Sequence, residues 1–276
     1  MRTLTVEIAE PLDAPILAPA GMTTPCQAVT RLAIEGGRIT ALATEAELGL
    51  GAALIEPEGG ALTLRYTVEP AAAGAAYPEA AFRPRVNRYT AAASALAEAS
   101  RAIAEAAGGG RAGIEALVAE AEARFIYDHP EARFNDGMDS VPHLSCGLTP
   151  GSCVDINTYL VASLRAAGYE AAYLYGYFFP QERGGRTDDG HCWVVTRHAG
   201  EILEWDIAHH LKAGLGPTQA GLNPRPGERV ALTHSMGHRY RLAEQEVALK
   251  LLGEPIRLPA GGPPEWMTLL ARLSPP

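Results

Sequence analysis

Over the first 70 residues, apolar and polar positions alternate in short bursts: Leu4-Thr5-Val6-Glu7-Ile8, Ala28–Ile34, Arg38–Leu42 and Leu62–Val68. A period of two sends successive side chains to opposite faces and predicts strands. Gly36-Gly37, between the second and third runs, is a two-residue hairpin signal, and Gly59-Gly60 marks another turn. Residues 1–70 are therefore expected to form a small β-sandwich or β-sheet module.

A linker rich in Pro, Ala and Gly at residues 70–80 ends that pattern. Asn87 to Ala107 is Ala-rich with good helix formers and stops at Gly108-Gly109-Gly110. A second helix is predicted from Gly113 to Tyr127, because Ile114, Leu117, Val118, Ala121 and Phe125 share one face. Residues 129–150 read as irregular. They lead into a helix over 153–167 with Gly168 as its natural stop. Glu170–Phe179 predicts a buried strand and Gln181–Gly190 a polar loop. His191–Arg197 and Glu201–Asp206 predict a hairpin around His198-Ala199-Gly200. Residues 208–228 read as loop, Arg229–Thr233 and Arg239–Ala243 as strands, and Glu265–Leu273 as a short terminal helix. The expected class is α+β, with a second domain over 71–276.

The chain of 276 residues has ample length for a buried core. A net charge of -9 with scattered Lys and Arg weighs against a nucleic-acid partner. No apolar run approaches the ~20 residues that cross a bilayer, so no membrane partner is expected. Glu7, Glu10 and Asp13 interrupt the place where a secretory signal needs apolar residues. Cys26, Cys146, Cys153 and Cys192 follow no zinc spacing and are too sparse for a disulfide framework. These features predict a cytoplasmic, reducing setting, with no metal and no cofactor. Oligomeric state is not legible.

The chemistry concentrates in three places. Cys153 follows Pro150-Gly151-Ser152 at the start of a predicted helix, where the dipole and unpaired N–H groups favour a thiolate. Gly151 permits a tight turn and close approach of a substrate backbone, and the Cys153 N–H suits a developing oxyanion. His191 opens a strand after a Gly-rich loop, with Trp193 on the same face and Cys192 turned the other way. An imidazole beside a thiol can take its proton and return it to a leaving amine. Asp206 ends the hairpin's second strand, and pairing 191–193 with 204–206 would let it orient His191.

Gly151-Ser152-Cys153-Val154-Asp155, Leu164-Arg165-Ala166-Ala167-Gly168, Gly176-Tyr177, His191-Cys192-Trp193 and Trp205-Asp206 together resemble the transglutaminase-like superfamily over residues 85–245. Phe125-Ile126-Tyr127 is similar to that family's upstream helix end, and Gly237-His238-Arg239-Tyr240 to its late strand entry. Two departures stand out: Cys192 replaces the usual Ala, and Ile207 follows Asp206 where Pro is usual. The resemblance implies a papain-like core in which a helix carrying the nucleophile packs on an antiparallel sheet, preceded by a β module. It implies Cys153 as nucleophile, His191 as general base and acid, and Asp206 as the residue orienting it. Gly151, Ser152 and Trp193 would form the oxyanion and substrate-binding surroundings. The implied partner is a peptide or protein, and the implied reaction is acyl transfer on a peptide or carboxamide, most often to water. Amine transfer to protein glutamine and non-catalytic peptide binding are the alternatives. The Arg-Gly-Gly that precedes the nucleophile of arylamine acetyltransferases is absent.

Overall fold

The computed structural model of the chain describes residues 1–275 except Pro11, Leu222, Ala243 and Glu244. The first strands are β1 (Arg2–Ile8), β2 (Ile16–Pro19), β3 (Gln27–Glu35), β4 (Gly37–Thr44), β5 (Gly51–Pro57) and β6 (Leu62–Pro70). Next come α1 (Glu79–Phe82), α2 (Ser94–Ala106), α3 (Gly110–Ala123), β7 (Phe125–Tyr127) and β8 (Thr149–Gly151). They lead to α4 (Cys153–Ala166), β9 (Glu170–Pro180), β10 (Arg186–Thr187), β11 (Gly190–His198), β12 (Glu201–Trp205) and α5 (Ile207–Ala213). The chain ends with β13 (Gly227–His234), β14 (His238–Leu242), β15 (Gln245–Leu249), β16 (Ile256–Arg257), β17 (Glu265–Trp266) and β18 (Leu270–Leu273). The class is α+β.

The chain divides into two compact units. One comprises Met1–Ala80, Tyr175–His191 and Pro226–Pro276; the other comprises Ala81–Leu174 and Cys192–Arg225. The division falls inside β9 and inside β11.

The first unit holds two five-stranded sheets, ordered β10-β18-β1-β6-β3 and β17-β16-β2-β5-β4. Alternation does what it promised here. Leu4, Val6 and Ile8 of β1 face inward opposite Tyr66, Leu64 and Leu62 of β6. They share one apolar cluster with Ile16, Ala18, Ala53 and Ile55 of the second sheet. The turn at Gly36 is not the expected hairpin, because β3 pairs with β6 and β4 with β5. Gly36 instead passes the chain between sheets at φ +82, where an added Cβ would lie 2.1 Å from the Ala61 carbonyl oxygen. The terminal helix expected at Glu265–Leu273 is also overturned. Leu269, Ala271 and Leu273 are buried at period two, and β18 extends the sheet along β1 (Leu4↔Leu273, Val6↔Ala271).

The second unit packs α2, α3 and α4 against one another. Helix α2 begins at Ser94 rather than Asn87. The backbone before it is engaged elsewhere: Asn87 accepts from Tyr89, and residues 91 and 93 bond to Val141. Helix α3 ends at Ala123, not Tyr127, because Phe125–Tyr127 pairs in parallel with Thr149–Gly151. In this unit β12 lies beside β11 and β11 beside β9.

Candidate active site

The N-terminus of α4 is fixed by its own residues. In the β7–β8 ladder Tyr127 pairs with Gly151. A Cβ at Gly151 would sit 2.7 Å from the Phe125 ring, so only glycine lets the strand approach that closely. Ser152 then turns extended as the N-cap, and Asp155 at the third helical position reaches back to its N–H (2.9 Å) and its hydroxyl (2.8 Å). Arg133, from the irregular segment ahead of the helix, donates to Asp155 Oδ2 at 2.6 Å and to Ser152 Oγ at 2.8 Å. Cys153 is therefore the first helical residue, 7% exposed, at the electropositive end of a 14-residue helix. A carboxylate two residues from a thiolate would oppose it, and the guanidinium cancels that charge at its source.

One turn further on, Asn157 donates its amide to the Cys192 carbonyl (2.9 Å) and to Cys192 Sγ (3.3 Å). The Cys153 thiol is the neighbouring group that acts on Cys192. Burial pushes the Cys192 thiol well above its ordinary range, and its contact with Cys153 acts in the same direction. The sequence reading turned Cys192 away from the site; its contacts with α4 correct that. None of the four cysteines is disulfide-bonded.

The β11–β12 hairpin runs from His198↔Glu201 to Val194↔Trp205. Ala199 and Gly200 both have positive φ (49 and 81), as a two-residue hairpin turn requires. This register continues to place Trp193, rather than His191, level with Asp206, two residues from the expected pairing. The Trp205 indole donates to Thr196 Oγ1 at 2.9 Å and anchors the strand end. Asp206, wholly buried, caps α5: one carboxylate oxygen accepts from the His209 N–H at 3.1 Å, and the other lies 2.8 Å from His209 Nδ1. His210 Nδ1 bonds the Asp206 carbonyl at 2.9 Å, and burial holds its pKa below the ordinary histidine value.

Helix α5 lies inside the stretch expected to be loop. It puts His209 and His210 on a helix. An Asp N-cap at 206 and Gly214 as the left-handed stop were the signals that could have found it. Asp206 and His209 are also donor types that a metal ion takes.

Gly151, Ser152, Cys153, Trp193 and Asp206 all belong to the second unit. His191 belongs to the first, as the second residue of β11. It is 6% exposed, with the Phe178 ring 6.2 Å away, and is joined by its peptide bond to Cys192. Asn135, in the segment ahead of α4, is buried.

The fold is α+β, with a thiol at the head of a buried helix and a hairpin that ends at Asp206. Residues 88–201 match the family model of the transglutaminase-like superfamily. The match takes in Cys153, His191 and Trp193 and stops before Asp206. Among solved structures, a candidate cysteine protease from Cytophaga hutchinsonii shares the fold at a TM-score of 0.54 and 12% identity, covering 99% of this chain and 97% of that one. The periplasmic domain of TgpA from Pseudomonas aeruginosa, bound to ethylmercury, matches at 0.41 and 16% identity over 77% of this chain and 91% of its own. No curated protein matches the sequence. Among the described residues, no helix is long and apolar enough to cross a membrane.

Proposed function

We propose that the chain is a thiol-dependent acyl-transfer enzyme acting on peptide or carboxamide bonds, and that its ordinary acceptor is water. The observation that carries this reading is Cys153 at the first position of α4, capped by Ser152 and Asp155, with Arg133 neutralising the nearby carboxylate. In the proposed reaction the Cys153 sulfur attacks the carbonyl carbon and the carbonyl oxygen becomes an oxyanion. The N–H groups at the helix start, Cys153's included, stabilise that charge. Gly151 and Ser152 shape this approach, and Trp193 supplies an apolar wall. His191 takes the thiol proton and gives it to the departing amine or ammonia, and Asp206 orients the imidazole. Water then attacks the thioester and restores the thiol. A cytoplasmic setting, where the thiol stays reduced, completes the proposal.

One observation favours a second assignment of the base. The imidazole on the Asp206 carboxylate at 2.8 Å is that of His209, on a helix that packs against α4. Under the leading reading, His191→Ala lowers turnover by ~10³-fold or more, while His209→Ala stays within about tenfold. The reverse pattern moves the base to His209.

The decisive experiment incubates the protein with a glutamine-containing acceptor protein and a fluorescent primary amine, while ammonia and new amino termini are assayed in parallel. Ammonia or peptide release abolished in Cys153→Ala is the expected result. Amine incorporation abolished by the same change would make the protein a transferase. No turnover of any kind, together with a Cys153 that iodoacetamide does not modify below pH 8, would leave only a peptide-binding fold.

A further inference from the structure

The Cys153–Cys192 contact has no part in acyl transfer. Where the sequence pattern would be satisfied by alanine, this chain places a second sulfur against the first. Cys192 is fully buried, and Asn157, one turn along the helix from Cys153, holds both its carbonyl and its sulfur. A mere filler of that volume would not need the bond to its sulfur. The result is a pair of neighbouring thiols, one 7% exposed at a helix start and one with no solvent access.

We propose that Cys153 and Cys192 are a redox site, in which a hydroperoxide oxidises Cys153 and Cys192 closes the product into a reversible disulfide. This rests on the reading of Cys153 as a reactive thiolate. The thiolate sulfur attacks one peroxide oxygen and the O–O bond breaks. Sulfur is oxidised to the sulfenic acid, while the other oxygen leaves and takes a proton to become water or an alcohol. The Cys192 sulfur then attacks the sulfenic sulfur. The S–S bond forms, the S–O bond breaks, and hydroxide departs with the Cys192 proton as water. A dithiol reverses the step by exchange, becoming a disulfide itself. The high thiol pKa imposed on Cys192 by burial suits this division of labour. It keeps Cys192 from competing for the oxidant, which prefers thiolates, and leaves it to react once the electrophilic sulfenic acid stands beside it. Oxidation would silence the enzyme while protecting its nucleophile from irreversible sulfinic and sulfonic acids.

The test treats the whole protein with hydrogen peroxide at near-stoichiometric dose, blocks remaining thiols with iodoacetamide, and maps the cysteine peptides by mass spectrometry before and after dithiothreitol. The expected product is a linked Cys153–Cys192 peptide pair lighter by two hydrogens, with at least tenfold loss of Cys153 alkylation that dithiothreitol restores. Exposed Cys26 and Cys146 serve as internal references. Cys192→Ala is expected to convert the same exposure into sulfinic acid at Cys153 that dithiothreitol does not reverse. If this variant does not fold, the wild-type map still decides. A Cys153 that alkylates readily yet oxidises to sulfinic acid without linking to Cys192 overturns the redox site and leaves the nucleophile reading intact. A Cys153 inert to both reagents overturns both.

Discussion

The two units differ in what they bury. In the first, two clusters of mostly aliphatic residues are brought together by strand alternation, Tyr66, Tyr177 and Tyr240 carry buried hydroxyls with no partner among the described residues, and bonded polar groups such as His238 and Glu254 lie apart from these hydroxyls. In the second, Ser152, Asp155, Asn157, Thr196 and Asp206 are buried and joined by directed hydrogen bonds, with Arg133 and His209 bound to the two carboxylates. Unpaired buried polar groups cost ~1–3 kcal/mol each. A fold under pressure for stability alone would avoid assembling so many polar groups that must each find a partner, and their concentration around the ends of α4 and α5 marks where the chain holds chemistry rather than volume. If this contrast is right, isosteric polar changes in the second unit should be expensive, and removal of a hydroxyl in the first should be nearly silent.

The largest effect is expected at Asp206. Asp206→Asn keeps an acceptor for the His209 N–H but loses the charge that faces an imidazole. It should lower turnover ~10⁴-fold while unfolding stability falls by only about 1 kcal/mol. Steady-state kinetics beside urea unfolding separates the two. A loss of activity under tenfold would mean the carboxylate is merely the cap of α5.

Next in size is Arg133. Its ion pair with Asp155 is one-sided in burial, with side-chain exposures of 34% and 1%. Arg133→Gln should therefore cost about 2–3 kcal/mol, between the values for surface and buried pairs. It should also move the pH midpoint of Cys153 alkylation upward, because a buried carboxylate then faces the thiolate uncompensated. Adding Asp155→Asn should recover both. A midpoint unchanged in Arg133→Gln would reduce the arginine to a staple for the preceding segment.

Gly151→Ala comes third. The ring its Cβ would strike, Phe125, is itself packed edge-on against Phe134 (5.6 Å) and Tyr159 (5.8 Å), so it has little room to retreat. A cost of ~1–3 kcal/mol follows, measurable by denaturant unfolding. A neutral result would show that the β7–β8 approach is looser than the glycine implies.

How much of this was legible follows the same divide. Alternation announced β1, β3, β4 and β6, since burying one face of a strand writes a period of two into its sequence. Pro150, Gly151 and Ser152 announced the start of α4, and Gly168 its end. The β11–β12 hairpin was visible through its turn, though not its register, because a slip of two residues keeps every side chain on its face. Phe125 continued the helical spacing of α3 and so hid the short parallel β7, whose partner lies two dozen residues away. Leu269, Leu270 and Leu273 mimicked a helical stripe, while the β1 edge that recruits them is at the far end of the chain. Helix α5 is seven residues long and its apolar stripe too brief to register. At the candidate site, the residue types were readable but their partners were not. Nothing near Arg133 indicates that it reaches the α4 cap, and strand alternation pointed Cys192 away from the sulfur it meets.

The smallest effect tests the other side of the contrast. Burial raises the pKa of the Tyr66 phenol far above its ordinary value near 10, so the folded chain keeps this proton when the unfolded chain loses it. A raised folded-state pKa contributes stability that is complete below about pH 10 and is lost as pH climbs beyond it, by about 1.4 kcal/mol per unit for one proton. Tyr177 and Tyr240 shift in the same direction. Tyr66→Phe removes one of these protons and one unpartnered hydroxyl. At pH 7 it should leave stability unchanged or raise it by up to ~1 kcal/mol. Between pH 10 and 11 its stability should fall less steeply than that of the parent, by close to one proton's slope. Urea midpoints at pH 7, 10 and 11 would read both. A marked loss at pH 7 would mean that the hydroxyl is held by a bond.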